Sequence, residues 1–72
     1  MKYFTKKQKQ ILKDNQFEII RNNIAYCFDN TDAIYTQIYD GKLFVTKIVK
    51  KKVNKEVFNN FKSFSQRYCF ME

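Results

Sequence analysis

The single glycine of the chain, Gly41, follows Asp40 and sits between two runs of alternating side chains. Asp-Gly supplies the two consecutive positive φ angles of a type I′ turn, whose twist matches the strands it joins. The pair predicts a β-hairpin over residues 33–39 and 42–50, and a two-residue turn also sets the register. Tyr39 should face Lys42, Ile38 Leu43, Gln37 Phe44, and Tyr35 Thr46. One face then carries Ile34, Thr36, Ile38, Leu43, Val45, Lys47 and Val49. The other carries Tyr35, Gln37, Tyr39, Lys42, Phe44, Thr46 and Ile48.

Upstream, residues 17–28 read as a second hairpin around Asn22-Asn23, because Asn tolerates the positive φ of a tight turn. Straight two-residue pairing would put Phe17, Ile19, Ile24, Tyr26 and Phe28 on one face, and that set is expected to be buried. Glu18, Ile20, Ala25 and Cys27 would share the other face. Asp29-Asn30-Thr31-Asp32 reads as a polar loop between the hairpins.

Both ends read as helix. Thr5 and Gln8 have the spacing of a capping box, which starts a helix over about residues 5–14 with a narrow apolar stripe of Phe4, Ile11 and Leu12. Val57, Phe61, Phe64 and Tyr68 recur at helical period, with Asn54 as N-cap and Val53 and Phe58 as a hydrophobic staple. They predict a helix over about residues 55–68, with Cys69, Phe70 and Met71 docked beyond it. The sum is α-β-β-β-β-α in one small domain, residues 1–72. The fold class is α+β, an antiparallel meander sheet packed by terminal helices. Thirteen Phe and Tyr residues supply the apolar area that a 72-residue chain needs to fold without a metal or cofactor.

The composition argues against an enzyme. There is no His to serve as general base, which removes Ser–His and Cys–His nucleophiles. One Gly cannot build a phosphate-cradling loop, and Cys27 and Cys69 alone do not make a zinc site. Neither a metal nor a cofactor is expected. No apolar run approaches the roughly 20 residues of a membrane span, so a cytoplasmic protein with reduced cysteines and no membrane partner is expected.

What remains is binding. Net charge is +7 and segregated: +5 over residues 1–13, −4 over 14–41, and +7 over 42–71. Lys47, Lys50, Lys51, Lys52 and Lys55 form a run read as leading into the C-terminal helix, where the macrodipole disfavours cations. Such a run suits a phosphate backbone, and it equally suits an edge strand protected from aggregation. Tyr35, Tyr39 and Phe44, beside Lys42, could stack bases or anchor a protein. They are open only if the helices cover the opposite face. A sheet apolar on both sides exceeds what one helical layer covers, so a homodimer or a partner protein is expected. The leading expectation is a protein-binding inhibitor or modulator. The alternative is a nucleic-acid-binding protein of weak sequence preference that uses the lysine run and the aromatic face. The abundance of Lys, Asn, Ile, Phe and Tyr suggests an AT-rich, phage-like source. That source would place the protein in a host cytoplasm, against a nucleic-acid-processing or defence protein.

Overall fold

A computed structural model of the chain describes residues 2–29 and 31–69. The elements are α1 (Lys6–Asp14), β1 (Glu18–Arg21), β2 (Ile24–Asp29), β3 (Asp32–Tyr39), β4 (Lys42–Val49), β5 (Lys52–Phe58) and α2 (Phe61–Tyr68). The five strands form one antiparallel sheet in the order β1-β2-β3-β4-β5, and both helices lie against one of its faces. The α+β class with an antiparallel meander and terminal helices is the one the sequence predicts.

Local signals hold where they are strong. Thr5 caps α1 and forms the full capping box. Its Oγ1 accepts from Gln8 N–H at 3.1 Å, while its own N–H donates to Gln8 Oε1 at 2.9 Å. The helix closes in a Schellman motif, with Phe17 N–H on Leu12 O and Gln16 N–H on Lys13 O. Gln16 takes the left-handed position at φ 71°. Asp40 and Gly41 sit at φ 52° and 76°, and the β3–β4 register is the expected one throughout.

The first hairpin differs from the reading. A bulge at Ile20 shifts the pairing from Arg21↔Ile24 to Ile19↔Ala25. Phe17 and Ile19 therefore share a face with Ala25 and Cys27, and this is the buried side. Phe28 faces out at 68 % exposure, and Tyr26 and Ile24 lie with it, so the set expected to be buried is split. Neither Asn22 nor Asn23 takes a positive φ. Their carbonyls accept long-range bonds from Phe4 N–H (2.8 Å) and Ile38 N–H (2.9 Å), which shape this turn in place of local preference. Of the expected 29–32 loop, Asp29 and Asp32 end and begin strands and pair with each other, and Asn30 lies outside the described residues.

The larger correction is at the C-terminus. Residues 52–58 are a strand, and the helix is only Phe61–Tyr68. Val53, Lys55 and Val57 alternate with Asn54, Glu56 and Phe58, and that two-residue period pairs with the free edge of β4. Asn54 is consequently no cap and Val53–Phe58 no staple. Asn60 is the N-cap, accepting from Ser63 N–H at 2.8 Å. The turn into β5 is Lys50-Lys51, at φ 50° and 68°. Of the expected docked tail, Cys69 is buried, while Phe70 and Met71 lie outside the described residues.

The core lies between sheet and helices and centres on the fully buried Phe64. That ring meets Phe17, Phe58, Phe61 and Tyr68 at centroid distances of 5.5–6.0 Å. Phe4 packs edge-on against Phe61 and joins the N-terminal segment to α2. Leu12, Ala25, Ile38, Leu43 and Val45 complete the layer.

Candidate docking surface

Because successive strand residues point to opposite faces, covering Ile38, Leu43 and Val45 with helices leaves their neighbours on the other side. The structure thus resolves the condition attached to the aromatic set. Tyr35, Phe44 and Tyr39 lie on the uncovered face, at 38, 40 and 66 % exposure. Phe44 and Tyr39 meet edge-to-face at 6.0 Å, and Lys42, exposed, is paired across from Tyr39.

The register orders this face into rows across the strands. One row runs Glu18, Tyr26, Tyr35, Thr46, Lys55 from edge to edge. A second runs Arg21, Ile24, Gln37, Phe44, Val57. A third runs Phe28, Ala33, Ile48, Val53. Phe28, Ile48, Val53 and Val57 are all exposed, so the apolar surface reaches well beyond the three aromatics read from the sequence. Val53 and Val57 belong to it because residues 52–58 are a strand and not the helix that their spacing suggests. The alternation of residues 52–58 was the signal that could have found them.

The lysine run is not one surface. Lys50 and Lys51 form the exposed tip of the β4–β5 hairpin. Lys55 points to the open face, in the row of Thr46 and Tyr35. Lys47 is in register with Ile34 and Asn54 and points to the helix side, where its Nζ lies 5.8 Å from the ring centroid of Tyr68. Lys52, paired with Val49, shares that parity. The run leads into an edge strand and not into a helix, so the macrodipole argument attached to it falls away. Lys52 and Lys55 instead lie on an exposed strand edge, where charge discourages further strand addition.

Two polar clusters flank the site. On the open face, Tyr26 Oη donates to Glu18 Oε2 at 2.7 Å. Glu18 raises the phenol pKa above its ordinary value, first through this bond and then through its charge. The carboxylate is thereby held over the face at the β1 edge. On the helix side, Tyr68 donates to Glu56, and Arg67 lies 3.5 Å from the same carboxylate. Burial, then the Glu56 bond, pushes the Tyr68 phenol up to about 12. That cluster ties α2 to β5.

Among the described residues, no group of three or more Cys, Asp or Glu side chains converges on a point where a metal could sit. Among them too, no helix is long and apolar enough to cross a membrane. No family model matches the chain, and no curated protein or solved structure matches it either.

Proposed function

We propose that this protein is a non-enzymatic binding module, an inhibitor or modulator that docks on a protein through the open face of its sheet. The observation that carries the reading is the uncovered face itself. At roughly 4.8 Å between strands and 3.3 Å per residue, five strands of four to eight residues span about 500 Å². Much of that face is apolar, with Phe28, Tyr35, Tyr39, Phe44, Ile48, Val53 and Val57 exposed on it, and extended exposed apolar surface commonly marks an interaction site. Aromatics near its centre, with charge only toward the edges, match the anatomy of a protein interface.

Direct nucleic-acid binding draws less support. It requires the lysines and the stacking rings on one surface, and of the run only Lys55 shares the face of Tyr35 and Phe44. The composition favours a mobile-element origin and a host protein as target, in a cytoplasmic setting.

The test compares wild type with Tyr35→Lys and Phe44→Lys in affinity capture from a candidate host. Stoichiometric capture of one protein by wild type, lost in both face variants, is expected. Retention by both variants would overturn the open face as the docking surface. A low-salt oligonucleotide titration run alongside should show no shift. A shift that weakens steeply with salt and disappears in Lys50→Glu with Lys51→Glu would favour the nucleic-acid reading.

A further inference from the structure

We propose that the free protein is a two-fold symmetric dimer, in which the open sheet face closes on the same face of a second copy with the axis running along β3. The inference rests on the reading of that face as a docking surface and names one occupant for it.

The argument is charge complementarity within one row. The central row begins with an acid at one sheet edge, Glu18 on β1, and ends with a base at the other, Lys55 on β5. Glu18 is held over the face by Tyr26. Among the described residues the single ion pair is Arg67–Glu56, so Lys55 has no acidic partner among them. A two-fold axis along the middle strand lays β1 of one copy over β5 of the other at the same height. Glu18 then meets Lys55 of the second copy, twice per dimer. The other in-plane axis, across the strands, would place Glu18 over Glu18 and Lys55 over Lys55, and like charges across an interface are costly.

The apolar rows obey the same operation. β2 falls over β4, which sets Ile24 against Phe44 and Phe28 against Ile48. Tyr35, at the centre of its row, meets its own copy on the axis. Aligned sheets pack about 30° apart. At the sheet edges, about 10 Å from the axis, this moves the row ends by about 5 Å, within the reach of a lysine side chain. The buried area also fits. Two faces of about 500 Å² give about 1,000 Å² in all, the lower limit for a specific interface. The dimer should therefore be weak, forming and dissociating in the micromolar range, so that the face can be released to another protein.

The experiment is sedimentation equilibrium of the full chain from about 1 to 500 µM, a range chosen to bracket a micromolar dissociation constant. Wild type should pass from monomer to dimer. Glu18→Lys alone and Lys55→Glu alone should each weaken association about tenfold. The double exchange should restore it, which a merely destabilised fold would not do. Tyr35→Cys should cross-link to itself on mild oxidation, whereas Val57→Cys, distant from the axis, should not. A wild-type chain that stays monomeric at the highest concentration overturns the dimer and leaves the docking reading to the capture assay. Dimerisation indifferent to all face substitutions overturns both.

Discussion

Two hairpins of this sheet turn through the same backbone shape with different residues, and the difference sets up a test. Asp40-Gly41 occupies the left-handed region at φ 52° and 76°, and Lys50-Lys51 occupies it at φ 50° and 68°. For an ordinary L-residue that region costs roughly 1–2 kcal/mol, for Asn less, and for Gly nothing steric. Replacing Lys50 by Asn and Lys51 by Gly relieves about 2 kcal/mol in all. Glycine gives back about 0.4–1 kcal/mol by loosening the unfolded chain. The net is a stabilisation of about 1 kcal/mol, which for a domain of this size raises Tm by roughly 4–8 °C. Thermal denaturation followed by circular dichroism reads it directly. Loss of two positive charges from a +7 chain would also stabilise, so Lys50→Gln with Lys51→Gln is the control. It removes the charge and keeps the strain, and should recover only a minor part of the gain, which should fade with salt. If the Gln pair stabilises as much as Asn-Gly, the backbone-strain argument is refuted.

Three further outcomes follow from the core and its polar contacts. Thr36 Oγ1 is fully buried with no hydrogen-bond partner among the described residues, so Thr36→Val should stabilise by about 1 kcal/mol, measured by urea denaturation. Phe64→Ala should cost roughly 3–5 kcal/mol. A 72-residue domain has a total of only about 4–11 kcal/mol, so this variant should lose a large share of its stability, read as a fall in the global protection of its amides against exchange. The Tyr68 phenol is raised from 10 to about 12 on folding, so the native state holds its proton more tightly than the unfolded chain. Its contribution is therefore complete below pH 10 and is lost as pH rises toward 12. The stability of wild type should fall more steeply across that window than that of Tyr68→Phe, by parallel pH titrations of stability.

What the chain determined by itself is what a few adjacent residues can decide. The Asp40-Gly41 turn, the Thr5–Gln8 capping box and the register of β3 on β4 each depend on contacts within a handful of positions. All three were legible, as was the α+β class. The absence of a His base is likewise a property of composition, independent of fold. Only tertiary structure decided the rest. Residues 53–58 carry apolar side chains that satisfy a helical period as well as a strand period. The free edge of β4, with its unpaired N–H and C=O groups, makes them a strand. The turn that brings them there is built from lysines, residues with no turn signature, and its strain is outweighed by the pairing it allows. The bulge at Ile20 likewise goes with backbone bonds from Phe4 and Ile38 to the Asn22-Asn23 turn, which no local rule anticipates. It carries Phe17 and Ile19 to the side of Ala25.

The open face depended on the same decision. Both sides of the central hairpin are apolar, and only the arrival of Phe61, Phe64 and Tyr68 over Leu43 and Val45 leaves Tyr35 and Phe44 exposed. With β5 in place, the lysine run divides between two faces and a tip, and Lys55 ends the row that Glu18 begins. The sequence held both charges. Only the pairing of five strands put them in one row.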